Sequence, residues 1–370
     1  MIDTPAALAE LVAAACRREC IALDTEFVWE RTYYPKLGVV QAAFSQDEHY
    51  LIDARAIEDM SPLGRVLADP SVIKILHDAP QDLTILRQAT GAFPRTIFDT
   101  RCAAAFAGLS SILSLNALLT EVLGIQLDKS ETRADWLKRP LSPEQLAYAT
   151  EDVRHLPIAR QQLITRIQDK GRESWLEDEL GRYDNPQLYT ERDPDLQFER
   201  IKGAGRMSAK NLAVLRVLAA WRDVEARRRD IPRSHVVSDE GLLGLARRKP
   251  QSLEQLSPFQ GFSPRALKRY GAELINTVQA GLAGPLPNTP RQRPPFEEEH
   301  LKRRLKLAQN LLQQHSAAGQ LDSPFVASRA ELKKLVRENP EQLENSHRVL
   351  QGWRRDFFGN ALLELLAKPI

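Results

Sequence analysis

Apolar residues recur along this chain at two different periods, and the change from one to the other divides it. Residues 4–18 alternate apolar and polar positions at helical spacing, and short apolar runs of strand length follow at 21–23, 38–44, 50–52, 72–76 and 97–98. Between and after them the helical period returns at 80–89 and 116–123, and in one long helix expected from 143 past 167. The first half therefore reads as an α/β domain. Beyond about residue 172 no strand pattern is seen. Residues 183–195, with Asn185-Pro186 and Asp193-Pro194, read as an exposed connector. Two all-helical blocks follow, near 208–283 and 300–368, each suited to one small bundle. The prolines of 284–290 and Pro294-Pro295 make a semi-rigid linker between them. The expected division is an α/β domain at 1–172, a connector at 173–207, helical domains at 208–283 and 300–370, and a linker at 284–299.

Composition narrows the class. At 370 residues two to three domains are expected, and 43% hydrophobic with 27% charged residues is ordinary for a globular chain. No apolar run reaches the roughly 20 residues of a membrane span, and Met1-Ile2-Asp3-Thr4-Pro5 reads as a helix cap rather than a signal peptide. A cytoplasmic protein without a membrane partner is the expectation. Cys16, Cys20 and Cys102 are odd in number and form no zinc spacing, so a reducing compartment fits and a structural metal site does not. Net charge is only +2, but from Arg200 to Ser234 ten basic residues face three acids. On a helix whose Leu212, Leu215, Leu218 and Trp221 form the apolar stripe, that surplus predicts a basic face for a phosphate-bearing partner, with a plain solvated face as the alternative.

The candidate chemistry begins where the run Ile21-Ala22-Leu23 meets Asp24-Thr25-Glu26. On a strand, Asp24 and Glu26 share one face. Either the strand has reached water, or a hard divalent cation offsets the repulsion of the two carboxylates. Asp82 falls in the first turn of the helix at 80–89, where the helix dipole alone would favour an acid. Tyr148 and Asp152 lie four apart on one helix face bordering a core, where an acid needs a partner, arginine or metal. Four such carboxylates around two cations can activate water for phosphodiester hydrolysis, and a phenol one turn from a ligand can orient that water. A core tyrosine with a satisfied hydroxyl is the plainer role for Tyr148.

Asp24-x-Glu26, Asp82 and Tyr148-x-x-x-Asp152, in this order, resemble the three motifs of the tyrosine branch of the DEDD exonucleases. Arg31-Thr32-Tyr33-Tyr34-Pro35-Lys36-Leu37 and the string from Leu127 to Trp136 resemble the ribonuclease D family in particular. Leu218 to Arg233, Val236-Val237-Ser238-Asp239, Leu242, Ala246, Pro250, Leu253, Leu256 and Gly261 resemble its helical HRDC domain, and the last block looks like a second, diverged HRDC copy. The resemblance covers nearly the whole chain. It implies an RNase H-like mixed sheet flanked by helices, followed by two HRDC-type bundles. It also implies a 3′–5′ exoribonuclease that trims structured RNA precursors, chiefly tRNA, with two divalent cations, Mg²⁺ or Mn²⁺, and releases nucleoside 5′-monophosphates. By position Asp24, Glu26 and Asp152 would hold one cation, Asp24 would bridge to the second, Asp82 would support that second ion through water, and Tyr148 would place the nucleophile. Gln81 stands where many relatives carry an acid.

Substrate contacts are less defined. Phe27 and Trp136 are candidates to stack on terminal bases, or are core residues; Lys129, Arg133, Arg227 and Arg228 are candidate phosphate contacts. His77 reads as a hydrogen-bonded residue rather than a ligand. The same acids would serve a DNA 3′ exonuclease, and a nucleic-acid-binding scaffold with an idle nuclease is the reading from another class. No protein partner is implied, and a monomer is the default.

Overall fold

The structure is a computed structural model, and it describes residues 1–127, 134–256, 264–287, 294–338, 343 and 346–368. Five strands form one mixed sheet: β1 (Cys20–Val28), β2 (Lys36–Ala43), β3 (His49–Asp53), β4 (Ile73–Leu76) and β5 (Ile97–Asp99), in the order β3-β2-β1-β4-β5. β2 and β3 pair antiparallel, and β1, β4 and β5 run parallel. Helices α1 (Pro5–Ala15), α2 (Gly64–Ala68), α3 (Pro80–Thr90), α4 (Thr100–Phe106), α5 (Leu115–Leu123), α6 (Pro143–Arg154), α7 (Leu156–Gln168) and α8 (Glu173–Gly181) complete this part. Alternation along β1 splits the core. Ile21 and Leu23 pack with Leu8, Leu83 and Leu86, while Ala22 joins Ala43, Val153 and Leu163 on the other face.

Three expectations need correction. β1 does not stop at the carboxylates but continues to Val28, so Asp24 and Glu26 sit within a strand. The helix expected from 143 past 167 breaks at His155, because Pro157 lacks the N–H that would bond one turn back. Tyr183 is not part of an exposed connector: it is buried, and its hydroxyl donates to Asp99 at 2.7 Å. Among the described residues no strand follows Asp99, as the helical period after about 172 implied.

The contacts divide the chain into two units. One holds Met1–Phe27, Leu37–Tyr189 and Arg293–Ile370; the other holds Val28–Lys36 and Thr190–Gln292. In the second unit α9 (Ala209–Arg229) ends at Asp230 in the left-handed conformation, φ 48°, followed by α10 (Arg233–Val236), extended Val237, and Ser238 capping α11 (Asp239–Arg248). Helices α12 (Leu253–Leu256) and α13 (Pro264–Ala283) follow. The last block repeats the plan: α14 (Pro295–Gly319) ends at Gln320, φ 49°, then come α15 (Ser323–Val326), extended Ala327, and Ser328 capping α16 (Arg329–Arg337). This shared order of caps and left-handed stops supports reading the last block as a diverged second copy.

The core of the last block is continuous with that of the sheet domain. Its Val326, Leu332, Trp353, Phe358 and Leu362 belong to one cluster with Ala22, Phe106, Val153 and Leu163 of the sheet domain. Glu179 of α8 is buried there, and its Oε2 accepts from Trp353 Nε1 at 3.1 Å and from the guanidinium of Arg354.

Candidate active site

Each acid is placed by an identifiable local device. β1 and its alternation put Asp24 and Glu26 on the α6 face of the sheet, with Ala22. α6 starts where Ser142 and Gln145 make a reciprocal capping box with Pro143 in the first turn, which fixes the phase of Tyr148 and Asp152 further along. The loop before α6 is tied to the sheet by Arg139, whose Nε and Nη2 donate to Asp53 at 2.7 and 2.6 Å and whose Nη2 also donates to the Gly38 carbonyl at 2.8 Å. Gly38 is needed here because a Cβ would run into the Trp136 backbone. Asp82 comes from the first turn of α3, just after the β4–α3 connection. Asp99 accepts there from the Asp78 and Ala79 N–H groups at 3.1 and 3.2 Å, and Asp78, at φ 60°, pairs with Arg101.

Asp24, Glu26 and Asp152 converge: one carboxylate oxygen from each lies within 4.8 Å of the others. At that separation, with an effective dielectric near 20, each pair of charges repels by about 3 kcal/mol or more, so the three cannot all stay ionised without a cation. Burial first, and the surrounding acids second, raise Asp24 well above the ordinary carboxylate range, Glu26 to about 8 and Asp152 to about 7. Hard oxygen donors from two elements, starved of positive charge, fit a divalent cation of the Mg²⁺ or Mn²⁺ type.

Asp82 stands apart from that trio. Thr25 Oγ1 donates to its Oδ1 at 2.5 Å, and burial raises it to about 6. It is nonetheless near enough for its charge to raise Asp24. Burial first, and the charge of neighbouring Asp152, Glu26 and Asp24 after it, push the Tyr148 phenol upward, so among these acids it is a neutral donor rather than a base.

The remaining candidates separate. Trp136 is 3% exposed and packs beside Tyr148, ring centroids 6.0 Å apart, in a small core with Val39, Leu141 and Ala149. It supports the tyrosine and offers no face to a base. Phe27 is half-buried at the end of β1. Lys129 and Arg133 lie outside the described residues. His77 bonds Thr100 Oγ1 at 2.9 Å and the Leu113 carbonyl at 3.1 Å, as a structural residue should.

The arginines from the last turns of α9 to the start of α10 are largely paired inside their own unit. Arg227 pairs with Glu191 and Asp223 at 2.5 and 2.8 Å, Arg233 with Asp223 at 2.5 Å, and Arg222 with Asp239 at 2.7 Å. Acids from outside the 200–234 window reach them only in the fold, which is why local counting overstated the free charge. Arg228 pairs with Glu225 at 2.8 Å but keeps a side chain 69% exposed.

One buried polar residue of the sheet went unread. Gln41 lies on β2 with 0% exposure, and neither its Oε1 nor its Nε2 has a hydrogen-bond partner. Leaving a buried amide so costs about 1–3 kcal/mol. The signal was present as a lone polar residue in Val39-Val40-Gln41-Ala42-Ala43.

Comparison with known proteins bears on the fold and the family. A 3′-5′ exonuclease family model matches residues 1–168, and an HRDC domain model matches 211–278. The chain is 40% identical to ribonuclease D of Desulfotalea psychrophila, covering 96% of both chains, and 33% identical to that of Escherichia coli, covering 99% of this chain and 98% of the relative. The crystal structure of Escherichia coli RNase D, described as an exoribonuclease involved in structured RNA processing, superposes with a TM-score of 0.89 at 32% identity, over 99% of this chain and 98% of that one.

Proposed function

The chain belongs to the ribonuclease D family, and on that footing we propose that it trims the 3′ ends of structured RNA precursors, tRNA foremost, to release nucleoside 5′-monophosphates. It is a hydrolase, a 3′–5′ exoribonuclease. The observation that carries the chemistry is the meeting of Asp24, Glu26 and Asp152 within 4.8 Å, from a strand and a helix far apart in sequence.

Asp24, Glu26 and Asp152 would hold the first of two divalent cations, with Asp24 shared and Asp82 a more distant contributor to the second. When bound, such cations lower the pKa of a water and offset the charge that develops on the phosphate. The protein's own part is orientation. Tyr148, one helical turn before Asp152 and kept protonated by burial and the nearby acids, would hold the attacking water as a neutral donor. Trp136 and the capping box behind α6 keep that phenol in place. Of the basic candidates, Arg228 retains the exposure a phosphate contact requires, whereas Arg227 serves the interior of its unit.

The test incubates the protein with Mg²⁺ or Mn²⁺ and matched RNA and DNA carrying single-stranded 3′ tails. Mononucleotide release from RNA is expected, and Asp24→Asn should lower it by more than a hundredfold while RNA retention in a filter assay stays within twofold. Release from DNA alone would overturn the reading in favour of a DNA exonuclease, and release from neither would leave a nucleic-acid-binding scaffold.

A further inference from the structure

Helix α3 begins without a cap of its own. Its N-cap residue is Ala79, which has no side-chain acceptor for the first turn, and Asp78 before it sits in the left-handed region at φ 60°. A start of that kind holds only where neighbouring chain over-determines it. The neighbour is Asp99, which lies opposite Leu76 at the end of β5. Its Oδ1 accepts from the Asp78 and Arg101 N–H groups at 3.1 and 2.9 Å, and its Oδ2 from the Ala79 N–H at 3.2 Å. Asp82 belongs to the helical turn that follows directly.

A side chain from beyond the sheet orients Asp99 in turn. The Tyr183 hydroxyl donates to its Oδ2 at 2.7 Å, with both residues buried. That is the length of a charge-assisted bond. The phenol has little choice of direction, because Arg182 Nη2 donates to its oxygen at 3.2 Å and leaves the proton for Asp99. The same segment is tied to the start of β5 by Asp184, whose Oδ1 accepts from the Thr96 N–H at 2.9 Å. Tyr183 belongs to one apolar cluster with Leu83, Leu86 and Ile97, where a phenylalanine ring would serve as well. The hydroxyl is there for Asp99.

We propose that Tyr183 is a positioning residue for Asp82: its hydroxyl sets the Asp99 carboxylate, which sets the first turn of α3 and with it the acid offered to the second cation. The inference rests on the cation role of Asp82 given above. Tyr183 acts through Asp82, so its hydroxyl matters to the ions only while that acid is present.

The experiment measures Mn²⁺ binding by calorimetry, without RNA, on the full chain carrying Tyr183→Phe, Asp82→Asn or both, with folding followed by circular dichroism. Tyr183→Phe is expected to weaken Mn²⁺ binding by about tenfold, and to change it by less than about twofold once Asp82→Asn is present. Asp99→Asn, which turns an amide N–H₂ toward main-chain donors, should weaken binding at least as much as Tyr183→Phe. At saturating Mn²⁺ the KM of Tyr183→Phe for an RNA with a 3′ tail stays within twofold of wild type. A Tyr183→Phe isotherm within twofold of wild type overturns the proposal. So does equal weakening with and without Asp82, which would make the hydroxyl a general support of the fold, and so does failure of both Tyr183→Phe and Asp99→Asn to fold. An Asp82→Asn chain that binds Mn²⁺ as wild type does fails the cation role of Asp82 itself, a result distinct from these.

Discussion

The two helical blocks share one plan and use it in opposite ways. The middle block closes on itself: Leu215, Leu218, Leu242, Leu245, Leu274 and Val278 form a core with no residue of the sheet domain. The last block repeats the long helix, left-handed stop, short helix and serine cap, yet its aromatic residues continue the core of the sheet domain. Trp353 stacks with Trp175 at 5.7 Å and meets Phe106 edge-on at 5.0 Å, and Phe325 stands 5.2 Å from Phe106. A bundle's local build is thus set by caps and periodicity, whereas what it packs against is decided by a few large rings and one buried ion pair.

If the blocks differ in this way, calorimetry should resolve two unfolding transitions that can be moved separately. The largest effect is expected from Arg354→Ala, which takes the more deeply buried of two guanidinium partners from Glu179 and leaves it Arg182 at 2.7 Å. Loss of a buried charge partner costs at most about 3 to 5 kcal/mol, and only the transition of the catalytic unit should fall. Equal shifts in both transitions would break the comparison. Next is Tyr33→Phe. The Tyr33 hydroxyl donates to Asp223 at 3.0 Å and accepts from Arg227 and Arg233 at 3.0 and 2.6 Å, all within the other unit. About 1 to 3 kcal/mol should be lost there, with the catalytic transition unchanged.

A smaller, graded effect is expected from pH. Glu26 at about 8, Asp152 at about 7 and Asp82 at about 6 bind protons more tightly in the folded chain than carboxylates do when unfolded. Folded protein therefore holds more protons from about pH 4 to 8, and stability must decline as pH rises through that window. In chelator the catalytic transition should fall between about pH 5 and 8, while added Mn²⁺ should raise it more at pH 8 than at 5.5, because ligands must be deprotonated. The middle block's transition should show neither trend. Least of all, Arg228→Ala should leave both transitions in place and reduce the salt slope of RNA binding by about one. An unchanged slope would remove Arg228 from the phosphate contacts.

Much of the site was legible because its signals are local. A pair of acids after Leu23, an acid in the first turn of α3, and a tyrosine four residues before an acid are visible without a fold. The break at Pro157 was equally visible, but the helical period continues through it and masked it. What could not be read depends on distant chain. Trp136 reads as a stacking residue or a core residue until Tyr148 and Val39 are seen around it. Arg227 reads as free until Glu191 meets it across the connector. Membership of the last block in the sheet domain's core rests on Glu179, Trp175 and Phe106, none of which carries a pattern that names its partner.

The short excursion between β1 and β2 gives the chain an order of assembly. Val28–Lys36 belongs with the middle block, where the Tyr33 and Tyr34 N–H groups donate to Asp230 at 3.0 and 3.1 Å from nearly two hundred residues away. Closing a contact over such a span is entropically costly and slow. During synthesis the strand that bears Asp24 and Glu26 emerges early, but the segment leaving it has nothing to hold until α9 and its left-handed stop have been made. A nascent or truncated chain ending before Asp230 would carry all four candidate acids with that segment untethered.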